Sequence, residues 1–300
     1  MSNILSELEK LGVEFEQNAL IKSYTTFKIG GTFNFIVFPK TVDEIKSTLE
    51  IFKNNAEEFI VFGKGSNVLV ADKHINKSAI VLSKNFNKIS IQGGMFIQAE
   101  AGASLQSISK FALECGFTGL EFAYGIPASL GGAIYMNAGA YGGSISEGLF
   151  ASKYIDTSFR SQIILEKEHK FDYRHSIYQE MPSTCIHEGL FLLKEDNPEI
   201  IKRKMDNYME RRKKSQPLNY PSAGSVFKRP KDNFAGALIE KCGLKGFQIG
   251  GAAVSEKHAG FIINVDNATF DDVSNLIKHI KQTVLEKEDI LLEEEVKYIN

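Results

Sequence analysis

Phe59-Ile60-Val61-Phe62-Gly63-Lys64-Gly65-Ser66-Asn67 is the stretch on which the fold reading turns. Four apolar, strand-favouring residues run straight into a loop whose glycines let successive backbone N–H groups point toward one spot, the geometry that cradles a diphosphate. It is not a Gly-x-Gly-x-x-Gly dinucleotide fingerprint, because Val68 stands where the third glycine belongs. On its own the loop reads better as a plain tight turn. A second segment, Gly125 to Gly143, is dense in Gly, Ala and Ser, and it begins Gly125-Ile-Pro-Ala-Ser-Leu-Gly-Gly-Ala133. Pro127 suits the first turn of a helix, and the small residues permit close approach of backbone to a ligand. Tight helix packing accounts for one such segment. Two in one chain point to a phosphate-bearing cofactor.

Outward from these segments the periodicity predicts helices over Ser2–Leu11, from Ser104 to Cys115, from Pro198 to before Pro217, from Phe234 to Cys242, and from Thr269 to about Lys287. Thr41 with Glu44 three residues later forms a capping box that opens another helix. Strands are expected at Phe33–Phe38, Phe59–Phe62, Val68–Val70, Ala79–Ser83, Ile89–Ile91, Phe96–Glu100, near Val226, and at Phe261–Val265 and Ile290–Tyr298, with short β-runs between Phe150 and Leu193. Gly93-Gly94 suits a hairpin turn. Strands and helices mix without regular βαβα alternation, so the class is α+β. The basic helix after Pro198 is the natural boundary between an early region, 1–197, itself split near residue 75, and a late region, 198–300.

Composition narrows the function. A chain of 300 residues with 43% hydrophobic content buries substantial cores. A net charge of −2 argues against a general nucleic-acid or membrane-surface binder. No apolar run approaches the roughly 20 residues that span a bilayer, and the first residues lack the pattern of a signal peptide, so a cytoplasmic location is expected. Three widely spaced cysteines, Cys115, Cys185 and Cys242, fit reduced thiols better than a disulfide framework or a zinc site. No metal is expected.

Gly-Lys-Gly-Ser-Asn followed by Gly-Ile-Pro-Ala-Ser-Leu-Gly-Gly-Ala resembles the FAD-binding pair of the vanillyl-alcohol-oxidase-type (PCMH) fold. Thr26-Phe-Lys-Ile-Gly-Gly31, Tyr173-Arg-His-Ser176, Pro221-Ser-Ala-Gly-Ser-Val-Phe227 and Glu293-Glu-Glu-Val-Lys297 narrow the resemblance to the UDP-N-acetylenolpyruvoylglucosamine reductase family, over nearly the whole chain. The resemblance implies a two-part FAD-binding domain over 1–197 and a C-terminal α/β substrate-binding domain over 198–300. It implies NADPH as reductant, FAD as the carrier of hydride, and UDP-N-acetylglucosamine enolpyruvate as the substrate reduced to UDP-N-acetylmuramate, a peptidoglycan precursor. Neither glycine segment holds a His or Cys tether, so the FAD is expected to be non-covalent, and the chain a monomer. The 51 residues from Arg174 to Ser225 resemble the short form of the family, without an extra substrate-covering loop. An oxidase on the same fold, or a flavin- or nucleotide-binding protein without catalysis, are the competing readings.

By the same resemblance Gly63, Lys64, Gly65, Ser66, Asn67, Pro127, Ala128, Ser129, Gly132, Ala133 and Gly139 match cofactor-binding positions. Tyr173, Arg212, Gln216 and Glu256 match substrate-binding positions, and Arg174, Ser225 and Glu295 match the catalytic ones. The chemistry agrees: hydride reaching the β-carbon of an enolpyruvyl ether leaves charge on the α-carbon, which needs stabilisation and a proton. Arg174 polarises the carboxylate, Ser225 supplies the proton and Glu295 supports the enolic intermediate. Without the family pattern Arg174 reads as a surface ion-pair partner, Ser225 as a turn residue, and the three glutamates 293–295 as solvated. The basic helix from Lys202 to Lys214 reads as a solvated face or as the local cationic site that a diphosphate needs, and His258 as a site neighbour or a surface histidine. Lys64, Ala128, Glu294 and Lys297 depart from the residues usual in the family, and Lys297 lacks the fork of an arginine.

Overall fold

The computed structural model describes residues 2–300. Its helices are α1 (Ser2–Leu11), α2 (Val42–Asn54), α3 (Leu105–Glu114), α4 (Leu130–Tyr135), α5 (Pro198–Ser215), α6 (Ala235–Lys241) and α7 (Phe270–Glu288). The chain separates into two compact units. The first comprises residues up to Gln17, Asn34–Lys64 and Asn76–Arg211; the second comprises Asn18–Phe33, Gly65–Ile75 and Arg212–Asn300. These units are drawn differently from a division at 197/198. Phe27, Ile29 and Leu69 are buried with the side chains of α6 and α7, which gives two early segments to the second unit. Helix α5 runs unbroken past residue 198, so compactness changes hands near its C-terminal end instead.

In the first unit, strands Thr32–Phe38, Ser78–Val81 and Phe59–Phe62 run parallel in that order, with Glu14–Leu20 at the edge. Phe35, Val37 and Ile80 are buried with Ile45, Leu49 and Phe52 on the apolar stripe of α2. Thr41 caps α2 by accepting the Glu44 N–H at 3.1 Å. The Glu44 carboxylate closes on the Lys40 N–H (2.7 Å) instead of returning to Thr41, so only half of the expected box forms. A five-stranded antiparallel sheet follows, in the order Ser161–Leu165, Leu149–Ile155, Cys185–Leu192, Phe96–Glu100, Ile89–Ile91. Gly93 and Gly94, both at positive φ, turn the last pair as the expected hairpin.

In the second unit, Ser222–Ser225, Phe261–Asn264, Ala252–Val254 and Gln248–Ile249 form an antiparallel sheet. Val68–Val70 pairs in parallel with Lys297–Ile299. The expected closing strand is shorter than its apolar pattern suggests: before Lys297 only Glu294 makes a bridge, to Phe227. Isolated main-chain bonds, Lys228 N–H to Glu293 O (2.8 Å) and Glu295 N–H to Val226 O (2.7 Å), hold the preceding residues, with ion pairs of Glu293 to Lys228 and Glu294 to Lys281 (2.6 Å). Mixed parallel and antiparallel sheets with unevenly spaced helices make the α+β class that the pattern predicts.

Helix α7 is anchored at its start by a full capping box between Thr269 and Asp272. The Asp272 carboxylate also accepts the Gly251 N–H at 3.1 Å, and a Cβ on Gly250 (φ +53°) would lie 2.1 Å from it. The accepted Thr269 N–H, with the Gly251 N–H and the Thr269 side chain, holds this carboxyl below its ordinary range. The stabilisation is therefore present above the unfolded pKa and lost as pH falls through the lower folded value. Asp272→Ala is expected to cost about 1 kcal/mol at neutral pH, a typical loss for a helix cap. Urea denaturation at a series of pH values checks this: the difference from wild type should hold above about pH 5 and shrink as pH drops toward about 3.

Candidate active site

In the first unit the two glycine segments meet. A Cβ on Gly63 would fall 1.7 Å from Ser129 Oγ and 2.9 Å from Ser129 Cβ, so only glycine permits this approach. The Gly63 carbonyl accepts from Ser83 Oγ at 3.0 Å, which fixes the loop as it leaves the strand. Residues 126–129 are not helical, and Ala128 N–H turns back to Ile126 O (2.9 Å), so Pro127 lies before α4 and not in its first turn. The reason is main-chain pairing with the segment ahead of α3: Leu105 N–H donates to Ala128 O (3.0 Å), and Leu130 N–H to Ala103 O (2.8 Å).

Ser129 stands at the N-cap of α4 yet makes no capping bond, and its Oγ is buried without a hydrogen-bond partner among the described residues. A buried hydroxyl left unpaired costs about 1–3 kcal/mol, so this atom awaits a partner. Gly132 is exposed, and a Cβ there would come within 3.6 Å of the same oxygen. Ala133 is buried in the core, Ala128 is half-buried, and Lys64 and Pro127 are exposed. Gly139 packs against Gly143, whose carbonyl would be 2.6 Å from an added Cβ. An orphaned hydroxyl beside a glycine cradle fits the phosphate part of a dinucleotide cofactor.

Arg174 lies in the same unit, at φ +56°, a conformation an arginine adopts at a cost of roughly 1–3 kcal/mol. Asp172 and His175 exchange both main-chain bonds around it (3.2 and 3.1 Å), leaving Tyr173 and Arg174 as the turn. Its guanidinium donates to Gly139 O at 3.4 Å and lies 5.2 Å from the centre of the Tyr173 ring, which is itself exposed. Asn137 Nδ2 donates to Asp172 O (3.0 Å), Ser176 Oγ to Tyr135 O (2.8 Å), and Gln179 Nε2 to both Tyr135 O (3.0 Å) and Arg174 O (2.9 Å). Asn137, Ser176 and Gln179 escape sequence reasoning. Only Asn137 carries a usable signal, as a residue type that tolerates its positive φ.

The second unit holds the rest. Gly65 (φ +55°) leaves no room for a Cβ, which would lie 2.5 Å from Tyr24 O. Thr26 N–H donates to Gly65 O (3.2 Å) and Thr26 Oγ1 to Ser222 O (2.7 Å), which ties the Thr26–Gly31 motif to the strand bearing Ser225. Asn67 Nδ2 donates to Glu295 O (3.2 Å), and Ser66 is half-buried nearby in sequence. Ser225 Oγ donates weakly to Phe227 O (3.3 Å), while Glu295 N–H donates to Val226 O (2.7 Å). Ser225 and Glu295, both half-buried, are thus brought to adjoining backbone. Of the three consecutive glutamates, Glu293 and Glu294 hold lysines.

His258 is not a surface histidine. Its ring is wedged between Gly236 and Gly260, where added Cβ atoms would lie 3.2 and 3.1 Å from Cε1. Burial pushes its pKa down, and its Nδ1 accepts the Gly260 N–H at 3.1 Å. A Cβ on Gly260 would also sit 3.4 Å from Ser225 Oγ. Arg212 and Gln216 close the end of α5 through a 2.9 Å main-chain bond, and Gln216 Oε1 is buried without a partner among the described residues. Glu256 is exposed, its carboxylate over Gly246 (2.1 Å from an added Cβ).

This arrangement of backbone cradle and strands is that of an FAD-binding fold. An FAD binding domain matches residues 33–154, and the C-terminal domain of UDP-N-acetylenolpyruvoylglucosamine reductase matches residues 216–299. A berberine bridge enzyme variant shares the fold alone, at 15% identity and a TM-score of 0.51 over 65% of this chain and 44% of its own. The UDP-N-acetylenolpyruvoylglucosamine reductase of Caldicellulosiruptor bescii is 45% identical over 97% of this chain and 93% of its own. The crystal structure of the reductase from Thermus caldophilus aligns with a TM-score of 0.82 at 32% identity, covering 96% of this chain and 99% of that one. The chain belongs to the UDP-N-acetylenolpyruvoylglucosamine reductase family. No helix of the described residues is long and apolar enough to cross a membrane, and none of their His, Cys, Asp and Glu side chains cluster as a metal site.

Gly63→Ala is expected to lower the flavin retained per purified chain at least 10-fold, because its Cβ competes with Ser129 Oγ for one space. Gly63→Ala combined with Ser129→Gly should recover part of that loss. Absorbance of the released flavin measures both, and full occupancy in the single variant would show that the approach is not needed.

Proposed function

We propose that this chain reduces the enolpyruvyl ether of UDP-N-acetylglucosamine enolpyruvate to UDP-N-acetylmuramate, with NADPH as reductant, and so supplies a peptidoglycan precursor. The observation that carries this reading is 45% identity over 97% of the chain to a reductase of that name. Gly63, Lys64, Gly65, Ser66, Asn67, Pro127, Ala128, Ser129, Gly132, Ala133 and Gly139 would hold non-covalent FAD, the Ser129 hydroxyl taking a phosphate oxygen as partner. Bound FAD supplies the hydride, drawn from NADPH, that reaches the β-carbon of the enolpyruvyl group.

The chain's own residues handle the charge and the proton. The Arg174 guanidinium pairs with the substrate carboxylate, into which the α-carbon charge delocalises. Its unusual backbone fixes the fork before substrate arrives, so little reorganisation accompanies the reaction. Ser225 Oγ delivers the proton to the α-carbon. Its 3.3 Å bond to Phe227 O is long for a hydroxyl donor, so turning away from it costs little. Glu295, held by its own backbone to Val226 and Asn67, supports the enolic carboxylate. Tyr173, Arg212, Gln216 and Glu256 bind the UDP-sugar, with Arg212 on the diphosphate. The enzyme works as a monomer in the cytoplasm.

Only the sugar-reducing half of this reaction makes a carbon that must be protonated. Ser225→Ala is expected to keep its flavin and to be reduced by NADPH at nearly the wild-type rate. Reoxidation by the UDP-sugar should slow by the roughly 10²–10⁴-fold typical of a lost general acid. Anaerobic stopped-flow absorbance of the separate halves checks this, and equal slowing of both, or of neither, would remove Ser225 from the role.

A further inference from the structure

We propose that Gln179 is a positioning residue for Arg174, locking the arginine's backbone in its left-handed conformation so that the guanidinium is presented in one place. The inference rests on the reading of Arg174 as the carboxylate-binding residue. Arg174 occupies the third position of its turn at φ +56°, where glycine or asparagine would sit without strain. Something must therefore hold it there, and the 3.4 Å bond from the guanidinium to Gly139 O acts at the far end of the side chain, not on the backbone.

Gln179 supplies the hold. Both hydrogens of its amide are used, one on Arg174 O (2.9 Å) and one on Tyr135 O (3.0 Å). Because both neighbours are carbonyls, the amide must present its NH2 end. Tyr135 is the last residue of α4, the short helix that follows the second glycine segment. One side chain thus spans from the cofactor-binding segment to the main chain of the arginine. Buried Ser176 donates to the same Tyr135 carbonyl, and Asn137 holds the opposite side of the turn through Asp172 O. Those two contacts fix the base of the turn, whereas Gln179 bonds to the carbonyl of Arg174 itself. A displacement of about 1 Å in such a group costs up to about 10²-fold in rate.

The experiment compares Gln179→Met, which keeps the length and removes both donors, with Gln179→Lys, which restores donors, and with Arg174→Lys. Flavin content, the NADPH half and the sugar half are measured for each, together with hydrogen exchange of the His175 amide that closes the turn. Gln179→Met is expected to keep its flavin and its NADPH half within about twofold, and to slow the sugar half by about 10–10²-fold. Its KM for the UDP-sugar should move much less than kcat, His175 exchange should quicken, and Gln179→Lys should regain most of the lost rate. A wild-type sugar half in Gln179→Met, with Arg174→Lys slowed, overturns the positioning role and leaves the Arg174 reading standing. A wild-type sugar half in Arg174→Lys overturns the Arg174 reading itself. Loss of flavin or equal slowing of both halves in Gln179→Met makes Gln179 merely structural. If Gln179→Met fails to fold, Gln179→Lys decides: a slowed sugar half with quickened His175 exchange overturns the role of its donors, and near wild-type values sustain it.

Discussion

Backbone that admits no side chain is the constraint on which the rest depends. At Gly63 the chain lies so near Ser129 that a single methyl group would displace it, and at Gly65 it lies as near to Tyr24 O. Between these two glycines the chain also leaves one compact unit for the other. The approach at Gly63 aligns the first loop with the start of α4 and leaves the Ser129 hydroxyl buried and unpaired. An unpaired buried hydroxyl destabilises the free protein and is retained where a ligand completes it. Ligand binding therefore contributes to folding here, because phosphate contact removes a penalty as well as adding a bond.

The same segment governs the chemistry. Helix α4 ends at Tyr135, and the Tyr135 carbonyl, the Asn137 side chain and the Gly139 carbonyl all serve the turn that carries Arg174. The glycine cradle and Arg174 thus share one short run of backbone. In the second unit a comparable economy holds. The Val226 carbonyl takes the Glu295 N–H, one residue after Ser225, so Ser225 and Glu295 are positioned by adjoining main chain. His258, its pKa pushed down by burial, packs against Gly260, which also lies beside Ser225.

Much of this was legible in the sequence, and the reasons differ by element. Helices with a full apolar stripe follow their punctuation: α3 and α7 begin at Ser104 and Thr269, α1 and α3 end before Gly12 and Gly116, and left-handed Asp289 ends α7. Pro127 misleads, because main-chain bonds to Ala103 and Leu105 override its preference for a helix start. The closing strand is shorter than its pattern: residues 293–295 make isolated main-chain bonds to Val226 and Lys228, and regular pairing begins at Lys297. The order of motifs pointed to Arg174, Ser225 and Glu295, but not to what holds them. Gln179 and Ser176 work through carbonyls about 40 residues away, and a bond to a carbonyl leaves no trace in the partner's side chain. His258 was ambiguous for the opposite reason: its setting depends on two glycines, whose closeness only the fold creates.

The central claim is that the chain passes electrons from NADPH to an enolpyruvyl sugar and not to oxygen. Anaerobic titration of the yellow protein tests it most directly. NADPH should bleach the flavin band, and one equivalent of UDP-N-acetylglucosamine enolpyruvate, added without oxygen, should restore it. A flavin that stays bleached with the UDP-sugar and recovers at once on admission of air would contradict the account.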